Sequence, residues 1–373
     1  MIQKNIADRP LKLPPGPSIR SFFLFLLIVV AAYFPLKKWG EPALAEIWFR
    51  QVICRMVTDA HTLENPEPGK MALGATRPEL PQSLYGMDEL QSTFGGRVSL
   101  ISFYQAWGEG PLHAFPTEAL YNMRKAGYTP MVTWEPWLSE FVRYGSKEPQ
   151  KSLALIASGK LDAYIREWAR GAARYGSPLL LRIAHEPTNP LYPWTSAYGN
   201  TPEMYGSAWK RIRSLFMEEG ARNVSFVWTP FGLLDSAFFP GKDQVDWIGL
   251  DLFNYGSLSE QGTWIDFYSL AKLYVDQYRS LGVPMFAAEV GTSSAGGSKA
   301  DWIRDMFRAL RNRDLPELKA LVLFDIPTGR TATGLPINWS LSEIRGVDSL
   351  IQREQFDTLF SLRPKAALRS YLP

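Results

Sequence analysis

Eight short apolar segments, separated by stretches with helical spacing, constrain the fold of this chain more than any other feature. Most are continuous apolar runs rather than alternating ones, the pattern of parallel strands that are buried on both faces. The predicted strands are Met71–Ala75, Arg97–Tyr104, Pro130–Trp134, Pro178–His185, Val224–Trp228, Asp246–Leu250, Pro284–Ala288 and Ala320–Phe324.

Helices are predicted between these strands. Thr201 is an N-cap candidate followed by proline, and it opens a helix toward Glu219. The other predicted helices are Leu161–Tyr175, Trp264–Leu281, Lys299–Arg311 and Ser349–Leu362. Eight strands alternating with helices over about 300 residues predict a (β/α)8 barrel, which we assign to residues 71–373. A doubly wound open sheet is the alternative, and no Gly-rich phosphate loop follows an early strand to support it.

The first 70 residues have a different composition. Residues 1–20 form a basic tail, and residues 21–38 contain an apolar, uncharged run that predicts a transmembrane anchor or a signal segment. We favour an uncleaved anchor, because two lysines separate the apolar run from the candidate cleavage site. Residues 41–70 read as a stalk helix and a linker. The basic tail orients the N-terminus toward the cytoplasm, which places the body outside it, in the periplasm or at the cell surface.

Charge and cysteine content exclude several classes of function. The single cysteine, Cys54, rules out an intramolecular disulfide and a Cys-based zinc site. The formal charge of +3 resides in the basic tail, so the body is neutral and a nucleic-acid partner is not predicted. The sequence shows no cofactor motif, and we predict neither a cofactor nor a metal. Aromatic residues make up 13% of the chain, which suits either a Trp-rich core or a cleft that stacks sugar rings.

Polar and aromatic residues gather where the predicted strands end. In a (β/α)8 barrel these ends meet at one face, which carries the active site. The residues are Tyr104, Gln105 and Trp107; Trp134 and Glu135; Arg182, His185 and Glu186; Asp251, Asn254 and Tyr255; Glu289; and Asp325. Five or more strands ending in this way predict a functional site at the barrel mouth.

Glu186 and Glu289 end the fourth and seventh predicted strands, which lie on opposite sides of a barrel mouth. Glycosidic cleavage needs such a pair: one carboxylic acid protonates the leaving oxygen, while the other carboxylate attacks the anomeric carbon or activates water. The separation of the two carboxyl groups decides between retention and inversion, and the residues alone leave this open. Arg182 could pair with Glu289 or another strand-end acid and hold it ionised. Glu135 is a rival third acid.

Several ordered motifs resemble glycoside hydrolase family 26. The segment from Arg182 to Trp194 is similar to the family's acid/base motif R-x-x-H-E-x-N-x-x-W-[YF]-x-W. Four further motifs follow in the family's order: Val227-Trp228-Thr229-Pro230, Phe239-Pro240-Gly241, the run Val245–Asp251, and Ala288-Glu289-Val290-Gly291. Asn338-Trp339 resembles the D-W that follows the family's last strand.

The resemblance implies a (β/α)8 barrel and a retaining mechanism. By position, Glu186 would be the acid/base and Glu289 the nucleophile. The remaining residues implied for substrate binding are Arg182, His185 and Asp251 in the sugar site, Trp134, Tyr192 and Trp194 as aromatic walls, and Glu135, Tyr255 and Trp339 nearby.

Three residues depart from the family's mannanase pattern. Thr188 replaces an asparagine, Leu191 replaces a tryptophan wall, and Phe253 replaces a tyrosine that contacts the nucleophile. We expect Tyr255 to substitute for that tyrosine. Both carboxylates are retained, so the departures bear on the substrate more than on the chemistry. Mixed-linkage β-glucan or another β-glycan becomes as good a candidate as β-mannan.

These observations favour a membrane-anchored retaining endo-β-glycanase that cleaves a cell-surface or exported polysaccharide. A transglycosylase is one alternative, because Leu191 could admit a sugar acceptor in place of water. The other is a non-catalytic glycan-binding subunit of a polysaccharide synthesis or export complex, although binding alone needs neither Glu186 nor Glu289. A phosphate-handling barrel is the least supported alternative.

Overall fold

The computed structural model describes residues 71–93, 98–141, 151–331 and 333–344. The predicted basic tail, anchor, stalk and linker, and the predicted helix at 349–362, lie outside these residues. Within the described ranges, no helix has the length and apolar character required to cross a bilayer.

Eight parallel strands close into a barrel in which each strand pairs with the next and β8 pairs with β1. The strands are β1 Ala72–Thr76, β2 Val98–Ala106, β3 Thr129–Glu135, β4 Leu179–Ile183, β5 Val224–Trp228, β6 Trp247–Asn254, β7 Met285–Thr292 and β8 Leu318–Phe324. All eight lie at the predicted segments, with ends that differ by a few residues. The predicted (β/α)8 barrel is therefore confirmed, and the open sheet is excluded.

Helices connect the strands of this barrel. They are α1 Tyr85–Thr93, α2 Thr117–Ala126, α3 Ser152–Ala157, α4 Asp162–Tyr175, α5 Pro202–Glu218, α6 Phe267–Tyr278 and α7 Lys299–Arg311. The predicted N-cap of α5 is present, since the Thr201 side chain accepts a hydrogen bond from the backbone N–H of Met204. After β8, the short strands β9 Gly329–Arg330 and β10 Pro336–Ile337 form a two-stranded hairpin.

Two apolar cores hold the barrel. Side chains such as Leu100, Met131 and Leu180 fill its interior, and a larger set packs between the strands and the surrounding helices. Successive strand side chains alternate between these two cores, because they point to opposite faces of the sheet. A residue's position relative to Met131 or Leu180 therefore decides whether it points into the barrel or toward the helices.

Candidate active site

Arg182, on β4, is the electrostatic centre of the barrel mouth. It lies two residues after the inward-facing Leu180 and is 0% exposed. Its Nε donates to Thr133 Oγ1 at 2.8 Å, and its Nη1 donates to both oxygens of Asp251 at 2.9 and 3.1 Å. Its Nη2 donates to Glu289 Oε1. The sequence predicted that Arg182 pairs with a strand-end acid. In the structure it pairs with two of them, Asp251 and Glu289.

A β-bulge turns Glu289 toward Arg182. Leu250 of β6 lies opposite Ala287 of β7. The next residue, Asp251, lies opposite Glu289, so that Ala288 is an extra residue on β7. Ala288 packs inside the barrel, and strict alternation would then point Glu289 outward. The bulge reverses the alternation, as bulges beside active sites commonly do, and brings the carboxylate into the mouth.

Glu289 has a second donor, Tyr104, which the sequence placed at the barrel mouth without predicting its contact with Glu289. The phenol of Tyr104, at the end of β2, donates to the same Oε1 atom that Arg182 contacts. Burial, followed by the charge of Glu289, raises the pKa of Tyr104 well above its usual value. The phenol therefore keeps its proton and acts as a donor.

Glu186 stands at the end of β4 on an unusual backbone. Its φ is 52°, and that of Ala184 is 40°. Non-glycine residues adopt this left-handed region at a cost and are frequent at functional sites. The backbone N–H of Glu186 donates to Thr229 O at 2.9 Å, and Asn189 Nδ2 donates to Glu186 Oε2 at 2.6 Å. These contacts fix the direction of the carboxyl group.

The environment of Glu186 favours its protonated form. Burial raises its pKa to about 7, the hydrogen bond from Asn189 opposes this rise, and the charge of Glu289 adds to it. The pKa of Asp251 shifts in the same direction, because burial and the charge of Glu289 raise it well above its usual value. Glu186 therefore still carries a proton near neutral pH.

The sequence departure at Thr188 has a structural counterpart. The Thr188 hydroxyl donates to Asp235 Oδ1 at 2.6 Å, on the loop after β5, and so does not serve Glu186. The amide that contacts Glu186 belongs to the following residue, Asn189. The sequence reasoning looked for the asparagine two residues after Glu186 and missed the one at three.

His185 is neutral and packed among aromatic rings. Burial, together with the positive charge of Arg182, lowers its pKa well below the usual value. Its Nε2 lies 3.1 Å from the Tyr192 hydroxyl, and its ring meets that of Tyr104 edge-on at 5.9 Å. Among the described residues, its Nδ1 has no hydrogen-bond partner. The predicted sugar-site position of His185 remains compatible with this geometry.

Two of the predicted aromatic walls are wrong. Trp134 is 0% exposed, because it lies an odd number of positions from the inward-facing Met131 and points toward the helices, where it packs on Trp107 and Trp168. Trp194 is also 0% exposed. It stacks behind Tyr192 at 4.7 Å and donates its Nε1 to the backbone of His185, so it supports a wall rather than forming one.

The partly exposed aromatic surface at this side of the mouth comes from Tyr192 and Trp137. Their rings meet edge-on at 6.3 Å. Trp137 Nε1 donates to Glu135 Oε2 at 3.2 Å. Glu135 shares the inward parity of Met131, and burial raises its pKa to about 7, opposed by the Trp137 hydrogen bond. Glu135 is therefore a second acid that carries a proton near neutral pH.

The opposite side of the mouth contains Tyr255 and Trp339. Trp339 is 5% exposed and packs on Phe253 at 4.8 Å and on Tyr255 at 5.1 Å. Among the described residues, the donors to Glu289 are Arg182 and Tyr104. The expectation that Tyr255 replaces the tyrosine lost at Phe253 is therefore wrong, and the contact to Glu289 comes from a different strand.

Asp325, the strand-end acid of β8, does not join this cluster. It accepts hydrogen bonds from Arg77 Nη1 at 2.9 Å and from the Ser340 hydroxyl and Leu341 N–H at 2.8 Å each. These bonds tie the end of β8 to the residue after β1 and to the chain that follows β8. Asp325 is thus part of a structural ion pair with Arg77, whereas Asp251 and Glu289 pair with Arg182 in the mouth.

Comparisons with known proteins agree with this geometry. Residues 146–278 match the sequence profile of glycosyl hydrolase family 26. Endoglucanase H of Acetivibrio thermocellus is 31% identical over 240 residues, which cover 61% of this chain and 25% of that protein. Beta-1,3-xylanase TXYA of a Vibrio species is 28% identical over 121 residues, covering 29% of this chain and 25% of that protein. The chain thus spans about a quarter of the length of the curated relatives it matches.

Solved structures share the fold. The YdhT protein of Bacillus subtilis aligns with a TM-score of 0.60 and 19% identity, over 84% of this chain and 93% of that one. The Bacillus subtilis mannanase BCman aligns with a TM-score of 0.58 and 18% identity, over 86% and 95%. The family profile and the endoglucanase H match confirm the predicted relationship to glycoside hydrolase family 26, and they relate the matched region to glycoside hydrolases.

Proposed function

We propose, from the relationship of this chain to glycoside hydrolase family 26, that it is a retaining endo-β-glycanase acting on a β-mannan or β-glucan type polysaccharide. One observation carries the proposal. Two buried carboxyl groups, Glu186 just after β4 and Glu289 on β7, share the barrel mouth with different hydrogen-bond partners. A glycosidase needs one proton donor and one ionised carboxylate, and the environment of each residue suits one of these roles.

Glu289 suits the role of nucleophile. The Arg182 guanidinium and the Tyr104 phenol both donate to its Oε1 atom, and such charge-assisted bonds stabilise the ionised form. Glu186 suits the role of general acid, because burial raises its pKa to about 7. The hydrogen bond from Asn189 Nδ2 to Glu186 Oε2 fixes the direction of the carboxyl group.

The reaction then runs in two displacements. The Glu289 carboxylate attacks the anomeric carbon, the glycosidic C–O bond breaks, and the Glu186 proton passes to the leaving oxygen. The product is a covalent glycosyl-enzyme, and Glu186 is left ionised. Glu186 next removes a proton from water, the water oxygen attacks the anomeric carbon, and Glu289 departs as a carboxylate. Two inversions give net retention.

The substrate class follows from the aromatic surface and from the relatives. Tyr192 and Trp137 offer rings on which a neutral pyranose can stack. Leu191, where the mannanase pattern has a tryptophan, is 54% exposed and presents a smaller apolar surface. The relatives' names specify an endoglucanase, a beta-1,3-xylanase and a mannanase. We therefore propose a β-linked neutral polysaccharide and rank β-glucan beside β-mannan.

The location of the enzyme is a separate proposal, supported by the sequence of residues 21–38. An apolar N-terminal anchor would hold the barrel outside the cytoplasm, where polysaccharide is displayed or exported. A synthesis or export complex is then the expected partner. Fractionation of cells that express the full chain tests this: the protein should remain with membranes after a carbonate wash. Recovery in the soluble fraction, cleaved after about residue 45, would instead indicate a signal peptide.

A reducing-end assay with product sizing tests the activity. The full-length protein is incubated with β-mannan, mixed-linkage β-glucan, β-1,3-glucan, cellulose and xylan. Glu289→Ala should abolish turnover, whereas Glu118→Ala, at an exposed position of α2, should not change it. Longer products would indicate transglycosylation. Binding to a polymer without new reducing ends, in the wild-type protein, would contradict the proposal and favour a glycan-binding subunit.

A further inference from the structure

The two donors to Glu289 converge on one of its two carboxylate oxygens. Tyr104 Oη and Arg182 Nη2 both contact Oε1. Among the described residues, no hydrogen bond reaches Oε2. A carboxylate held in this way has one oxygen fixed by the protein and one oxygen free to react.

Tyr104 differs from Arg182 in what else it contacts. Arg182 divides its donors among Glu289, Asp251 and Thr133, so its position is set by three partners. The Tyr104 hydroxyl makes its hydrogen bond to Glu289. Its ring is held on one side by the Arg182 guanidinium, 5.6 Å from the ring centre, and on another by the edge of His185.

We propose that Tyr104 is a positioning residue for the nucleophile: it fixes Oε1 of Glu289, so that Oε2 is the atom that bonds to the sugar, and it speeds the breakdown of the glycosyl-enzyme. The inference rests on the proposed retaining mechanism and adds a role for a residue on β2. Tyr104 acts through Glu289 and need not touch the sugar.

The two displacements should depend on Tyr104 to different degrees. When the glycosyl-enzyme forms, Glu289 loses its negative charge and Oε1 becomes an ester carbonyl oxygen. When it breaks down, the charge returns to the departing carboxylate. A hydrogen bond to Oε1 is stronger to the charged form, so it helps the second displacement more than the first. Without the phenol, the glycosyl-enzyme should accumulate.

The test uses full-length protein and a 2,4-dinitrophenyl glycoside of the sugar on which the wild type is active. In Tyr104→Phe, we expect kcat to fall about 10- to 100-fold, the effect of losing one donor to a charged group. KM should fall with it, because the intermediate accumulates, and a stopped-flow burst of one equivalent of dinitrophenol should appear.

Tyr175→Phe is the matched control. Tyr175 is a buried tyrosine at the end of α4, and it packs in the core between barrel and helices. Its replacement should produce neither a burst nor a joint fall of kcat and KM. Tyr104→Phe behaving like this control would overturn the proposal, and so would a raised KM without a burst, because that pattern describes a sugar contact.

A second variant covers the case in which Tyr104→Phe does not fold. Incorporation of 3-fluorotyrosine at position 104 keeps the hydroxyl and makes it a stronger donor, so kcat should be at least that of the wild type and no burst should appear. A burst or a fall in kcat would overturn the proposal. An inactive wild type would instead refute the proposed function, and this inference would fall with it. An active wild type with an unaffected Tyr104→Phe refutes the inference alone.

Discussion

Replacing Glu186 with glutamine should stabilise the folded protein at alkaline pH while it abolishes activity. Glu186 is 9% exposed, and its carboxyl group must ionise in a buried site as the pH rises. Glutamine has the same shape and carries no charge, and its oxygen can accept the bond from Asn189. The variant therefore removes the cost of burying the carboxylate and removes the proton donor as well.

The size of the effect follows from the pKa. Burial raises the pKa of Glu186 from 4.5 to about 7, and each pKa unit corresponds to about 1.4 kcal/mol. A group whose pKa is higher in the folded state contributes stability that is complete below the unfolded value and is lost as the pH rises through the folded value. The wild type should therefore lose about 3 kcal/mol of unfolding free energy, relative to Glu186→Gln, between about pH 4.5 and about pH 8.5.

Urea unfolding measures this directly. The wild type, Glu186→Gln and the exposed-site control Glu118→Gln are unfolded at about pH 5 and about pH 8.5, and the free energies are obtained by linear extrapolation. We expect Glu186→Gln to match the wild type within about 1 kcal/mol at the lower pH and to exceed it by about 3 kcal/mol at the higher pH. The control should show neither difference. An equal effect of Glu186→Gln at both pH values would refute the argument that Glu186 is held as an acid.

Three further predictions address the neighbouring residues. Arg182→Met should cost about 3–5 kcal/mol of unfolding free energy in urea, because it leaves buried carboxylates unpaired, whereas Arg308→Met, in an ion pair about half exposed, should cost no more than about 1 kcal/mol. Asn189→Ala removes a bond that lowers the pKa of Glu186, so the alkaline limb of the pH–rate profile should move to higher pH; a shift to lower pH would contradict this. Trp134→Ala should lower the unfolding free energy by about 3–5 kcal/mol and leave KM unchanged. A raised KM with normal stability would instead indicate that Trp134 is an aromatic wall of the sugar site.

Strand positions and strand-end residues were predictable because burial on both faces leaves a continuous apolar run. The segment ending in Glu186 illustrates this: its apolar run stops where the polar mouth begins. Helices α1, α2 and α3 were not predicted.

The direction in which individual side chains point, into the barrel or toward the helices, was harder to predict. Trp134 was assigned to the mouth because it ends a strand, although alternation from Met131 turns it outward; counting positions along β3 would have shown this. The same count would have excluded Glu289, because the bulge at Ala288 is not visible in the apolar pattern. The resemblance to the family motif identified Glu289 as a site residue, although hydrophobic periodicity alone cannot reveal the bulge that turns it into the mouth.

Contacts made across the barrel mouth were the least predictable. Tyr104 and Glu289 are 185 residues apart in the sequence, and nothing local marks them as partners. The missing tyrosine at Phe253 did signal that Glu289 needed another donor. Tyr255 was chosen because it was close in sequence, whereas the barrel brings β2 and β7 to the same mouth.

Trapping of the glycosyl-enzyme shows which carboxylate bonds to the sugar. The full-length protein is incubated with 2-deoxy-2-fluoro glycosyl fluorides of the gluco and manno series, whose fluorine destabilises the oxocarbenium-like transition states, and is then digested for mass spectrometry. We expect one added fluoro-sugar on the peptide that contains Glu289, and none in Glu289→Ala. A label on Glu186 or Glu135, or turnover of polysaccharide with inversion at the anomeric carbon, would rule out Glu289 as the nucleophile of a retaining enzyme.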